Sequence, residues 1–73
     1  MAKALREWRV EKLLGVKALA REAGVSNKTI VQIEHGAQVP TFRTIRRLCA
    51  ALDVEPQDVT EFAAAMELSK DAA

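Results

Sequence analysis

The side chains that nucleophilic or metal chemistry would require are scarce in this sequence. There is one cysteine, Cys49, and one histidine, His35. A thiol nucleophile needs a base at hand, and a zinc site needs several Cys, His or acidic ligands at close spacing. Neither grouping occurs. Cys49 lies in the apolar stretch Ile45–Leu52 and reads as a buried structural thiol. A redox switch would want a second, resolving cysteine. His35 falls at a helix end, where the C-terminal dipole suits it. No glycine-rich loop resembles a phosphate cradle. The expectation is a non-enzymatic protein with no catalytic residue, metal or cofactor.

What the sequence supplies instead is unevenly placed cationic charge. The net charge is only +1. Residues 1–50 nevertheless carry ten basic groups (Lys3, Arg6, Arg9, Lys12, Lys17, Arg21, Lys28, Arg43, Arg46 and Arg47) against four acidic ones, a balance of +6. Residues 51–73 carry Lys70 against six acids (Asp53, Glu55, Asp58, Glu61, Glu67 and Asp71), a balance of −5. A cationic body with an anionic tail points to a polyanionic partner for the body. The chain has 73 residues, 49% of them hydrophobic, a globular composition with room for one domain. A chain this short buries only about 60% of its unfolded surface, so a partner subunit would help it. No run is long and apolar enough for a membrane helix. The charged start Met1–Arg9 lacks the apolar stretch of a signal peptide. A cytoplasmic location without membrane contact is expected.

The elements that must position those charges read as helices throughout. No window shows the apolar–polar alternation of a strand. The first helix is predicted over about Ala4 to Leu13, with Leu5, Trp8 and Lys12 or Leu13 on one stripe, ending at Gly15. The second covers about Val16 to Ala23, with Leu19, Ala20 and Ala23 inward, and stops at Gly24. The third covers about Asn27 to His35, capped by Ser26, with Ile30 and Ile33 inward against the first and fourth helices, and closes at Gly36. Thr41 caps a fourth helix from about Phe42 to Leu52, whose inner stripe is Phe42, Ile45, Leu48, Cys49 and Leu52. Pro56 suits the first position of a fifth helix, which carries Val59, Phe62, Ala63 and Met66 on its apolar face and reaches Ala64 or as far as Leu68. Residues 1–68 thus form one domain, with 69–73 expected to fray.

The joint between the second and third helices is the most informative feature. Two helices meeting steeply need a small residue where their backbones approach, and Ala20 provides it. The tight turn wants a positive φ, which Gly24 adopts readily. Ile30 and Ile33 then hold the third helix by its inner face and leave its N-terminal half projecting. The run Leu19-Ala20-Arg21-Glu22-Ala23-Gly24-Val25-Ser26-Asn27-Lys28-Thr29-Ile30-Val31-Gln32-Ile33-Glu34-His35-Gly36 resembles the helix-turn-helix of the lambda-repressor/Cro-like (Cro/CI-type, Xre) family of transcriptional regulators. Arg9 stands where that family has its first-helix arginine. Glu34-His35-Gly36 resembles its Glu-Asn-Gly helix end, and Pro40-Thr41-Phe42 and Leu52-Asp53-Val54 resemble its Pro-Ser-Leu and Leu-Gly-Val landmarks. The resemblance covers about residues 5 to 62.

The resemblance implies an all-α, compact five-helix domain that binds double-stranded DNA as a homodimer, with its helix-turn-helix over about residues 16–35. Carried over position by position, it implies that Asn27, Lys28 and Gln32 face base edges. Asn and Gln can pair bidentately with adenine, and Lys can donate to guanine N7 and O6. Ser26 and Thr29 would sit beside them near the DNA backbone. The starts of the second helix (Val16, Lys17) and the fourth (Thr41, Arg43, with Arg46 one turn on) would meet phosphates. Val16 departs from the glutamine often found there, so its side-chain brace is missing. Arg9 and Glu34 are expected to form an internal ion pair. Val59, Phe62 and Met66 are expected to serve the core and a dimer seam.

The mechanism expected from this reading is repression: a dimer with its third helices in successive major grooves of a pseudo-palindromic operator, occluding polymerase. An alternative places the same fold in a protein-interaction adaptor or antitoxin-type module, with a protein partner on the fifth helix or the acidic tail.

Overall fold

A computed structural model describes the backbone of residues 2–72 and the side chains of residues 2–68. Five α-helices follow in order: α1 (Leu5–Glu11), α2 (Val16–Ala23), α3 (Asn27–Glu34), α4 (Phe42–Leu52) and α5 (Thr60–Ala72). A 3₁₀ turn, Pro56–Asp58, precedes α5. The fold is all-α, as the sequence implies. The only β pairing among the described residues is a single parallel bridge between Lys3 and Val59. The expected fraying of 69–73 concerns side chains, and Ala73, that lie outside the described residues.

The core is one cluster fed by every helix. Leu5, Leu19, Ile30, Ile33, Leu48, Leu52, Val59 and Phe62 are its large, fully buried members. Ala20 and Ala23 let α2 lie close to its neighbours, and α2 packs against both α3 and α4. Ile30 and Ile33 of α3 share this core with Leu5 of α1 and with Ile45 and Leu48 of α4. Ser26 and Thr41 cap α3 and α4 by accepting hydrogen bonds from the backbone N–H groups of Thr29 and Thr44.

Four details differ from the sequence expectation. The first helix stops at Glu11, and Gly15 is not its terminator: Gly15 is extended and serves as N-cap of α2. The left-handed residue is Leu13, at φ 60°. Its N–H donates to the Val10 carbonyl and the Leu14 N–H to the Arg9 carbonyl, the paired bonds of a Schellman ending. Leu13 thus points into solvent, 92% exposed, rather than joining the inner stripe. Phe42 also leaves its expected stripe and is 54% exposed, because the first residue of α4 lies beyond the edge of the core. Finally, Pro56 opens the 3₁₀ turn and not the fifth helix. Val59 is extended, which lets it pair with Lys3, and α5 starts only at Thr60.

The N-terminal arm and α1 are laced to this last segment. Lys3 N–H donates to the Asp58 carbonyl and Thr60 N–H to the Lys3 carbonyl, each at 2.9 Å. Trp8 Nε1 donates to the same Asp58 carbonyl at 2.7 Å, and Glu61 Oε1 accepts from Leu5 N–H at 2.8 Å. Ala4, the N-cap of α1, has no side chain able to cap it; Glu61, from another helix, supplies the missing acceptor.

A leucine held left-handed in open solvent gives up backbone energy with no burial in return. Leu13→Gly should therefore stabilise the fold by about 1 kcal/mol, a rise in Tm of about 4–8 °C for a domain of this size, measured by thermal denaturation.

Candidate nucleic-acid interface

The projecting surface is built from the joint outward. Gly24 takes the left-handed conformation at φ 72° and ends α2; the N–H groups of Gly24 and Val25 both donate to the Ala20 carbonyl. Three residues, 24–26, therefore turn the chain from α2 into α3. Val25 is half-buried against the core and anchors the turn from within. The Ser26 hydroxyl accepts from Thr29 N–H at 3.1 Å and shares a 2.8 Å hydrogen bond with the Thr29 hydroxyl. Ile30 and Ile33 are buried, so the opposite side of the first turn of α3 must face water.

Asn27 and Lys28 stand on that exposed turn, and Gln32 is half-buried one turn beyond Lys28. Lys28 and Gln32, four residues apart, share a face. None of the three side chains makes a hydrogen bond within the protein among the described residues, so their donors and acceptors face outward unpaired. Ser26 is exposed, whereas Thr29 is half-buried with its hydroxyl engaged in the cap.

The flanking groups divide. Lys17 and Arg43 are exposed at the first turns of α2 and α4, and Thr41 is exposed as the α4 cap. Val16 packs inward against the core, so only its backbone is available at the start of α2. That end is capped by Gly15 without a side-chain acceptor, which leaves first-turn N–H groups for an external anion. Arg46 is exposed and lines a cleft together with Trp8, Cys49, Asp53, Glu55 and Asp58. Arg47, not singled out in the sequence, instead donates from Nη1 to the Gly24 carbonyl at 3.0 Å. Its spacing of four from Arg43 put both on one face of α4, the one sequence signal that could have found it.

Behind this surface, Arg9 and Glu34 form a shielded bidentate pair. Arg9 Nε donates to Glu34 Oε2 at 2.8 Å and Nη2 to Oε1 at 3.2 Å, while Nη1 donates to the Leu14 carbonyl at 3.0 Å. Their side chains are only 12% and 8% exposed. The hydrogen bond to Glu34 raises the Arg9 pKa further above its already high ordinary value, against the opposing effect of burial. The pair fastens the C-terminal end of α3 to α1 and to the loop that leads into α2.

Val59 and Phe62 are wholly buried and belong to the core, so of the three residues expected to serve both core and seam only Met66, half-buried, retains outward surface. Cys49 is a buried free thiol whose pKa is pushed up to about 11, chiefly by desolvation and then by the nearby charges of Glu55 and Asp58. Among the described residues no group of His, Cys, Asp and Glu is arranged to hold a metal ion, and no helix is long and apolar enough to cross a membrane.

A family model described as Helix-turn-helix domain matches residues 1–70. No curated protein and no solved structure matches the chain.

Two outcomes follow from this geometry. Arg9→Ala would leave Glu34 shielded and unpaired and should destabilise the fold by about 3 kcal/mol. In chemical denaturation, adding Glu34→Ala to Arg9→Ala should cost much less than Glu34→Ala alone, the signature of direct coupling. The thiol gives a pH signature. Its folded pKa lies above the unfolded value of about 8.5, so its contribution to stability is complete below that pH and is lost as pH rises toward about 11. The alkaline fall in denaturation midpoint should be shallower in Cys49→Ala than in the parent.

Proposed function

The chain belongs to the helix-turn-helix domain family, and on that premise we propose that it is a sequence-specific transcriptional regulator that reads DNA with the first turn of α3. The observation that carries the proposal is the exposed, internally unpaired Asn27–Lys28 turn, set on a helix whose other face is fixed by Ile30, Ile33 and the Ser26 cap. In the major groove, Asn27 and Gln32 would present paired donor and acceptor groups to adenine, and Lys28 a donor to guanine. Phosphates would be met by Lys17 with the N–H groups at the start of α2, by Ser26 and Thr29, and by Thr41 and Arg43 at the start of α4. Arg46, one turn beyond Arg43, would add a further phosphate contact from the edge of a cleft that also holds Asp53, Glu55 and Asp58.

The active form we infer is a homodimer on a pseudo-palindromic operator, acting by occlusion and hence as a repressor. With Val59 and Phe62 buried, the surface that suits the seam is the apolar groove between the loop 36–40 and α5, where Val39 and Leu68 are each 59% exposed. Symmetric pairing of such a patch is the usual way a small domain covers it.

Selection of bound sequences from a random DNA pool with the purified chain tests the proposal directly. Enriched sequences should contain two related half-sites about 34–36 Å apart. Affinity for them should fall steeply with salt. Asn27→Ala should lower affinity for the selected site by ~1–3 kcal/mol while leaving binding to unrelated DNA nearly unchanged. A pool that stays random, or binding indifferent to salt, would overturn the assignment.

A further inference from the structure

We propose that Arg47 is a positioning residue for DNA reading: its guanidinium, hydrogen-bonded to the Gly24 carbonyl, ties α4 to the α2–α3 turn and sets the angle at which α3 is presented. The inference rests on the DNA-reading function above and extends it to a residue that makes no base contact.

Three observations converge on it. The turn between α2 and α3 is only residues 24–26, so a small change at Gly24 propagates directly to Asn27 and Lys28. The internal bonds of the turn, from Gly24 and Val25 N–H to the Ala20 carbonyl, use donors of the turn and leave the Gly24 carbonyl to an outside partner. Arg47 is that partner, at 3.0 Å, and its Nη1 also lies where a Cβ on Gly24 would come within 3.8 Å, so the guanidinium covers the turn. A cation at the C-terminal end of α2 further suits the helix dipole. Arg47 is exposed and has no carboxylate partner within ion-pair distance among the described residues. An exposed single bond adds little to global stability, but this one joins two elements that are otherwise held through the core. Its effect should therefore appear in the orientation of α3 more than in the melting of the domain.

The test uses the full chain with Arg47→Met, which keeps the stem and removes the donors, and Arg47→Lys, which keeps a donor. Two readouts are taken: affinity for the selected DNA site over a range of salt, and amide hydrogen exchange without DNA. Arg47→Met should bind about fivefold more weakly, as expected for loss of one charge-assisted hydrogen bond in an exposed setting, with the slope of log affinity against log salt unchanged. Exchange at residues 25–29 should quicken while α5 keeps its protection, and Arg47→Lys should restore part of both. A slope lower by about 1 would make Arg47 a direct phosphate contact and overturn the proposal. Unchanged affinity and exchange would make it an ordinary surface cation, and faster exchange throughout the domain a merely structural one. Faster exchange confined to 25–29 in a chain that binds no DNA would uphold the tie to the turn while sinking the function on which its meaning depends.

Discussion

The architecture depends on one shielded charge pair. Arg9 uses three nitrogens to hold both oxygens of Glu34 and the carbonyl of Leu14. Through those bonds α1 fixes the far end of α3 and the loop that delivers the chain into α2. Helices α2 and α3 are each eight residues long, too short to persist alone in water. Their relative geometry comes from the shared core, the turn between them and this clamp on the far end of α3, and the charge is tolerable out of water because each guanidinium nitrogen has an acceptor. The cost of a mismatch is what makes this geometry singular.

Around that pair, apolar and polar contacts divide the labour. The apolar core supplies most of the cohesion, from Leu5 at one end of the chain to Phe62 near the other. Polar bonds settle directions: Glu61 for the start of α1, Trp8 and Lys3 for the segment before α5, Ser26 and Thr41 for the starts of α3 and α4, and Arg47 for the turn. The surface suited to DNA carries few of these bonds. Asn27, Lys28 and Gln32 keep their hydrogen-bonding groups unpaired within the protein, which is the arrangement a reader of external donors and acceptors requires.

Much of this was legible because it is local. The limits of α2 and α4 follow from Gly24, Thr41 and the spacing of Leu19, Ala20, Ile45 and Leu48, and the αL conformation of Gly24 from its being glycine. The departures arise where a distant partner decides. Leu13 takes the left-handed position because the Schellman bonds close there, whereas Gly15 is drawn into the next helix as its cap. Pro56 has the residue type for a helix start, but Val59 must stay extended to meet Lys3. Phe42 obeys helical periodicity, yet the core does not extend to it. Glu61 and Arg47 act on backbone groups 56 and 23 residues away, and the only local hint is the spacing of four between Arg43 and Arg47. The expectation for Asn27, Lys28 and Gln32 came from a recurring pattern, and the structure shows Asn27 and Lys28 exposed, Gln32 half-buried, and all three without internal hydrogen bonds among the described residues. It was illegible where its support comes from another helix.

The bridge between Lys3 and Val59 carries a kinetic consequence. Contacts within each helix and across the short turn between α2 and α3 join near neighbours in the chain and form readily. The bridge must instead close a loop spanning 56 residues, and the entropy of that closure is recovered only when Leu5, Trp8, Phe62 and Glu61 arrive together. The helix-turn-helix is thereby assembled from short-range parts, while the two ends of the described chain are joined to it and to each other by contacts that span nearly its whole length.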